Sequence, residues 1–119
     1  MYLKGLLELG NFYFRSAQFK LAIKSYDSLK VLYDQVEDTP FYSYGIIYMN
    51  KGLCHMYSVN YSNAEENFKR ALLCNEDVVG DKTYNQLRAL VYQNLGCLYE
   101  LMGKLDDAKE SYEKVLKIK

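Results

Sequence analysis

The chain has 119 residues, half of them hydrophobic and a quarter charged, a composition typical of one globular domain. Fifteen basic residues balance fifteen acidic ones, and this zero net charge argues against a nucleic-acid interface or a polybasic membrane-binding surface. No apolar run approaches the roughly 20 residues of a membrane span, so membrane insertion is not expected.

Six helices are predicted along the chain, arranged as three pairs. Their expected boundaries are 3–16, 19–35, 40–57, 62–76, 82–102 and 105–118. Short polar or glycine-containing breaks separate the two helices of each pair, at Ser16-Ala17-Gln18, Ser58-Val59-Asn60 and Gly103-Lys104. Connections this short require the helices of a pair to run antiparallel.

The segments between the pairs are longer, and each carries a predicted helix start. Thr39 and Pro40, the single proline, fit the N-cap and the first residue of the third helix. Asp81, which follows Gly80, fits the N-cap of the fifth helix. The chain is therefore predicted to form one domain, 1–119, with repeats over about 3–36, 40–78 and 82–119.

The three pairs share one motif with identical internal spacing. A large residue opens each copy, a glycine follows four positions later, and an alanine lies twelve positions after the glycine. The motif residues are Leu6, Gly10, Tyr13, Ala22 and Tyr26; then Tyr48, Gly52, His55, Ala64 and Phe68; then Tyr92, Gly96, Tyr99, Ala108 and Tyr112. A glycine inside a helix costs about 1 kcal/mol relative to alanine, so its recurrence predicts close approach of the paired helix, with the alanine as partner.

This pattern resembles the tetratricopeptide repeat (TPR), and the resemblance covers nearly the whole chain. Gly10 and Gly52 are 42 residues apart and Gly52 and Gly96 are 44 apart, which exceeds the usual period of about 34. The extra residues lie between the pairs, where added helical turns are predicted, and repeats of this length are similar to those of kinesin light chains. The resemblance implies an all-α fold with three antiparallel helix pairs stacked as a right-handed superhelix, an α-solenoid.

The resemblance also implies a function: a protein–protein interaction module without enzymatic activity or a cofactor. The first helix of each pair would line a concave groove that holds a peptide or helical segment. The groove positions in this chain are Asn11, Met49, Asn50, Leu53, Met56, Tyr57, Gln93, Asn94, Cys97 and Leu101. Their apolar, weakly charged character favours a hydrophobic or amphipathic partner segment.

Asn50 and Asn94 occupy equivalent positions in the second and third copies. A side-chain amide donates and accepts hydrogen bonds at once, which suits a peptide main chain. The alternative interpretation is an asparagine that is solvated or joins two helices.

One branch of the family grips the C-terminal carboxylate of heat-shock chaperones with basic and asparagine side chains. The asparagine positions match at Asn11 and Asn50, but the three basic positions hold Leu7, Leu90 and Asn94. A carboxylate needs charge-assisted donors, so this binding mode is not expected.

Residues suited to other chemistry have structural explanations. His55, the single histidine, occupies an aromatic motif position, and Cys54 is rotated from it by about 100° around the helix, so a Cys–His pair is not expected. Glu65-Glu66 and Asp106-Asp107 are predicted to open second helices and complement the helix dipole rather than bind a metal. The three cysteines lack the spacing of a disulfide framework or zinc site, which favours a reducing intracellular compartment such as the cytoplasm.

The last motif ends with apolar residues, Val115 and Leu116, although a terminal repeat usually needs a polar outer face. Two alternatives follow. Either the sequence is a fragment of a longer array, or the chain is an assembly scaffold that forms a homo-oligomer through the C-terminal helix face. A third alternative, the ligand-sensing part of a bacterial TPR regulator, also stays open.

Overall fold

The structure of the protein is a computed structural model that describes residues 2–36, 39–74 and 82–118. In this part of the chain the secondary structure consists of α1 (Tyr2–Arg15), α2 (Phe19–Gln35), α3 (Phe41–Tyr57), α4 (Tyr61–Leu73), α5 (Lys82–Leu101) and α6 (Leu105–Lys117). Each odd-numbered helix packs against the next one, and the pairs stack through the contacts of α2 with α3 and of α4 with α5. The predicted all-α architecture of stacked helix pairs is confirmed.

The turn inside each pair is closed by the same hydrogen bonds. In the first pair the backbone N–H of Gln18 donates to the carbonyl of Tyr13 at 2.8 Å, and that of Ala17 donates to Phe14 at 3.0 Å. This closure requires a left-handed residue after the helix, usually a glycine. Ala17, Val59 and Gly103 hold that position with φ of 60°, 66° and 76°. Only the third copy uses the residue type that adopts this conformation without strain.

The added residues of the long repeats lengthen α2, α3 and α5. α2 and α3 have 17 residues each and α5 has 20, whereas α4 and α6 have 13 each. The predicted end of α4 at residue 76 is wrong, because the helix ends at Leu73 with Cys74 as its C-cap. The predicted N-cap Asp81 lies outside the described residues.

The predicted start of α3 is displaced by one residue. Pro40 is the N-cap, with an extended backbone at ψ of 142°, and the helix begins at Phe41. Thr39 serves the preceding helix instead, because its hydroxyl donates to the carbonyls of Tyr33 at 3.0 Å and Val36 at 3.2 Å. Thr39 therefore satisfies backbone acceptors at the end of α2.

The motif glycines lie against aromatic rings of the paired helices. A Cβ atom at Gly10 would lie 2.5 Å from the ring of Tyr26, and one at Gly52 would lie 2.6 Å from the ring of Phe68. Gly96 meets Tyr112 in the same way. The predicted close approach is confirmed, but the expected partner is wrong. The nearest atoms belong to the aromatic residue four positions after the motif alanine, because its ring reaches across to the glycine.

The core consists of two clusters that meet at α3. Ile47 and Cys54 on α3 are buried against Ala22, Tyr26 and Leu29 of α2. A larger cluster joins the second and third pairs, and its buried members are Met56, Ala64, Phe68, Ala71, Leu87, Val91, Leu95, Leu98, Tyr99 and Ala108. Because α3 contributes to both clusters, it connects the first pair to the rest of the solenoid.

Candidate protein-binding groove

Two faces of α3 and of α5 are occupied by packing within the protein. One face meets the preceding pair, and the glycine-containing face meets the paired helix. Helical spacing leaves a third stripe on each helix, which contains the predicted groove residues Met49, Asn50, Leu53 and Tyr57 on α3 and Gln93, Asn94 and Cys97 on α5. Because α3 and α5 contact each other directly, the two stripes lie side by side.

The two central residues of these stripes are the asparagines Asn50 and Asn94. Asn50 and Asn94 are half-buried, and among the described residues no hydrogen bond joins either side-chain amide to the protein. Met49 and Leu53 beside them are half-buried and pack on the edge of the larger core cluster. Gln93 is exposed. This surface can therefore offer two amides set among uncharged side chains.

Asn11, the third predicted asparagine, is engaged inside its own pair. Its Oδ1 accepts a hydrogen bond from the hydroxyl of Tyr26 at 2.6 Å. The equivalent residue of the third pair is Cys97, whose Sγ accepts from the hydroxyl of Tyr112 at 3.4 Å. The hydroxyl of Tyr112 also donates to Glu100, and these two hydrogen bonds raise the pKa of Tyr112. Asn11 and Cys97 thus help to hold their paired helices.

Tyr57 and Met56 lie at the C-terminal end of α3 and point in different directions. Tyr57 is 59% exposed, and its ring stacks on Phe19 with centroids 6.1 Å apart and an angle of 14° between the planes. It also lies 5.7 Å from the ring of Phe14, so it contacts the turn of the first pair. Met56 was predicted to line the groove, and this is wrong. Its side chain is 6% exposed and packs inside the larger core cluster, on whose edge Met49 and Leu53 also lie.

His55 lies at the contact between the first and second pairs. It is half-buried, and its buried Nδ1 has no hydrogen-bond partner in the part of the chain that the structure describes. Burial lowers the pKa of His55, and the charge of Lys51 lowers it further. Within the described ranges, no group of three or more His, Cys, Asp or Glu side chains is placed to hold a metal ion.

The two acidic pairs have different positions. Asp106 and Asp107 lie in the first turn of α6, as predicted. Glu65 does not lie in the first turn of α4, and the dipole interpretation is wrong for it. Its Oε2 accepts a hydrogen bond from the hydroxyl of Tyr99 at 2.6 Å and pairs with Lys69 at 3.2 Å. The first of these interactions is the main cause of a lowered pKa of Glu65.

Comparison with known proteins identifies the repeat. A family model described as tetratricopeptide repeat matches residues 43–119, which include the second and third pairs. A search of the curated proteins found no match. Tetratricopeptide repeats generally mediate protein–protein interactions and are typically non-enzymatic. No helix in the described ranges is long and apolar enough to cross a membrane. The likeness to the elongated repeats of kinesin light chains stays a prediction.

Proposed function

The chain belongs to the tetratricopeptide repeat family, and we propose that it binds a peptide or helical segment of a partner protein in its concave groove. The observation that carries this proposal is the pair Asn50 and Asn94. They occupy equivalent positions on two helices in direct contact, and their side-chain amides have no hydrogen-bond partner among the described residues. Half-buried amides without internal partners favour an external ligand that both donates and accepts.

The spacing of the two amides suits an extended main chain. Packed helices lie about 8 to 10 Å apart, and an extended chain advances about 3.3 Å per residue. Asn50 and Asn94 can therefore reach peptide groups roughly three residues apart in a segment that crosses α3 and α5. Hydrogen bonds to the main chain supply affinity without dependence on the side chains of the partner.

The surrounding side chains define the chemistry of the partner. Met49 and Leu53 provide apolar contacts, and Gln93 adds a neutral polar group. Leu90, at a position where carboxylate-binding relatives carry a basic residue, is 50% exposed. This lining supports a hydrophobic or amphipathic segment rather than an acidic tail.

The test compares two double variants against one peptide. A peptide selected on the wild-type protein from a random display library is titrated by fluorescence anisotropy. Asn50→Ala/Asn94→Ala is expected to weaken binding at least about tenfold, because each amide loses hydrogen bonds to the peptide main chain. The matched control is Asn63→Ala/Asn67→Ala, which removes two amides from the second helix α4.

The control variant is expected to bind with wild-type affinity. Unchanged affinity in Asn50→Ala/Asn94→Ala would contradict the proposed groove, and so would an equal loss in both double variants. Circular dichroism establishes that all three proteins have the same helix content before affinities are compared.

A further inference from the structure

Successive pairs are joined by one recurring contact. Four positions of a first helix, spaced i, i+4, i+7 and i+8, meet the second helix of the preceding pair. They are Ile47, Lys51, Cys54 and His55 on α3, and Val91, Leu95, Leu98 and Tyr99 on α5. Lys51 pairs with Asp27 at 2.7 Å in the first contact, and Tyr99 donates to Glu65 at 2.6 Å in the second. These two interactions define which positions face each other.

The α6 helix presents the same receiving surface, and none of the described residues packs on it. Leu105 and Leu116 line an open, largely apolar groove and are 68% and 85% exposed. Their equivalents in α4, Tyr61 and Leu72, are half-buried against the larger core cluster. Covering α6 as α4 is covered would remove this apolar area from water, which is the main driving force of association.

The α1 helix presents the complementary docking face. Leu9, Phe12 and Tyr13 occupy the positions of Leu95, Leu98 and Tyr99. Leu9 is 41% exposed and Phe12 is 52% exposed, although the equivalent residues of α5 are buried. A Cβ atom at Gly5, one turn earlier on this face, would meet no atom of the described residues within 4 Å. The face is therefore open to a partner helix.

The register of the internal contacts also brings one pair of opposite charges together. Within the chain, the ring of Tyr57 contacts Phe14 and Phe19 of the preceding pair. Arg15 occupies the position of Tyr57, and Glu100 and Leu105 occupy the positions of Phe14 and Phe19. The same register therefore places Arg15 of one copy beside Glu100 and Leu105 of a second copy. The chain has no net charge, so no general repulsion opposes contact between copies. Both exposed faces therefore fit one and the same partner, a second copy.

We infer that the protein self-associates head to tail, with α1 of one copy docked on α6 of the next as if it were the following repeat. The two surfaces of this contact differ, so each added copy leaves one α1 face and one α6 face free. Such heterologous contacts extend into open chains unless the rotation closes a ring.

Sedimentation velocity over a concentration series up to about 1 mM tests the inference. The wild-type protein is expected to form species larger than a dimer. Leu9→Glu blocks the α1 face and Leu116→Glu blocks the α6 face, so each variant alone is expected to remain monomeric. An equimolar mixture of the two retains one productive contact and is expected to form a dimer that grows no further.

The matched control is Leu73→Glu, the same substitution at a residue of α4 that is 64% exposed and lies outside both faces. It is expected to associate like the wild type. Circular dichroism of every variant separates loss of association from loss of folding.

The sign of the charge at residue 9 tests the register. Leu9 would face Glu113, as Lys51 faces Asp27 within the chain. Leu9→Lys is therefore expected to associate at least as tightly as the wild type, whereas Leu9→Glu associates at least about tenfold more weakly. Equal effects of the two substitutions would overturn the proposed register.

Three outcomes would overturn the head-to-tail contact itself. They are a wild-type protein that stays monomeric throughout the series, a Leu9→Glu variant that dimerises alone through a two-fold α6 contact, and a variant mixture that stays monomeric. None of these outcomes bears on peptide binding by the groove, which uses other side chains.

Discussion

The two contacts between helix pairs occupy the same positions but differ in chemistry. Where α2 meets α3, the contact contains an ion pair, a histidine and a thiol. Where α4 meets α5, the same positions hold Leu95, Leu98 and Tyr99, all in the larger core cluster. We call the first the polar contact and the second the apolar contact. The comparison shows that the helix register is maintained by position and not by a single type of interaction.

The polar groups of the polar contact are only partly paired. Lys51 is well shielded, with 17% of its side chain exposed, but its partner Asp27 is 53% exposed. An ion pair with one solvated member contributes little, about 0 to 1 kcal/mol. Nδ1 of His55 has no hydrogen-bond partner among the described residues, and burial raises the pKa of the Cys54 thiol to about 11. This contact must therefore depend largely on Ile47 and on the neutral state of its buried groups.

The apolar contact gains stability from burial and from one charge-assisted hydrogen bond. The position of Lys51 in the polar contact is held here by the buried Leu95. The position of His55 is held by Tyr99, whose hydroxyl donates a hydrogen bond to Glu65. The equivalent of Glu65 in the first pair is Ile23, which has no hydrogen-bond acceptor in its side chain. His55 therefore lacks the carboxylate partner that Tyr99 has. In a solenoid, stability is approximately a sum over repeats and their contacts. We expect the first pair to separate from the array more easily than the third.

The largest effect is expected from placing a polar residue in the apolar contact. Leu95→Lys introduces an ammonium at a position that is 3% exposed and equivalent to Lys51. Lys51 faces Asp27, but the equivalent residue facing position 95 is Lys69. The new positive charge is therefore buried without an acidic partner. We expect the free energy of unfolding in urea to fall by about 3 kcal/mol.

The matched control is Leu90→Lys, the same change at a half-exposed position of the same helix, with an expected loss below about 0.5 kcal/mol. Adding Lys69→Asp to Leu95→Lys recreates the pair of the polar contact and should recover about 1 kcal/mol or more. A double variant no more stable than Leu95→Lys would show that the two contacts do not share one register.

A smaller effect is expected from removing the hydrogen bond of the apolar contact. Tyr99→Phe deletes a hydroxyl that donates to an ionised carboxylate, and we expect it to cost about 1.5 kcal/mol. The hydroxyl of Tyr99 lowers the pKa of Glu65. The resulting contribution to the free energy of unfolding is present above the pKa of Glu65 in the unfolded chain, about 4.3. It is lost as the pH falls through the lower pKa of Glu65 in the folded protein.

Urea denaturation at pH 7 and pH 3 provides the measurement. The cost of Tyr99→Phe should be clear at pH 7 and should shrink at pH 3. Tyr13→Phe, the equivalent change in α1, lies outside the apolar contact and should cost less than about 0.5 kcal/mol. If both substitutions had the same cost at pH 7, the hydrogen bond would not distinguish the two contacts.

The fold was largely predictable because the motif positions correspond directly to contacts. The spacing of Gly10, Gly52 and Gly96 placed all three helix pairs, and the breaks within the pairs coincide with the observed turns. The errors occur where one residue can serve two neighbours. The hydroxyl of Thr39 could cap the start of α3 or the end of α2, and the sequence does not state which acceptors lie within reach.

The candidate site was predicted by residue type, and type alone could not separate its members. Asn11 and Asn50 are chemically identical, but the hydroxyl of Tyr26 engages only Asn11. The sequence feature that distinguishes Asn11 is Tyr26, the motif tyrosine fifteen residues later. Its hydroxyl comes within reach of Asn11 only when α2 packs against α1. Met56 shares helical spacing with Met49 and Leu53, and only its burial in the larger core cluster separates it from the groove residues.

The smallest effect concerns how the two contacts respond to pH. Burial lowers the pKa of His55, the single histidine of the chain. The pKa of a histidine in the unfolded chain is about 6.5, so as the pH falls the imidazole is protonated in the unfolded state before it is protonated in the folded state. The stability due to neutral His55 is present above pH 6.5 and is lost as the pH falls through the lower folded value. We therefore expect the wild-type free energy of unfolding to decrease from pH 7.5 to pH 5.5.

Moving the histidine to the apolar contact should reverse this response. In His55→Tyr/Tyr99→His the imidazole faces the Glu65 carboxylate, which favours the charged form and raises its pKa. A raised folded value contributes stability below the unfolded pKa that is lost as the pH rises, so this variant should be more stable at pH 5.5 than at pH 7.5. His55→Tyr alone, without any histidine, should show neither trend. Equal slopes in the wild type and the double variant would mean that the facing residue, Ile23 or Glu65, does not decide the electrostatic difference between the contacts.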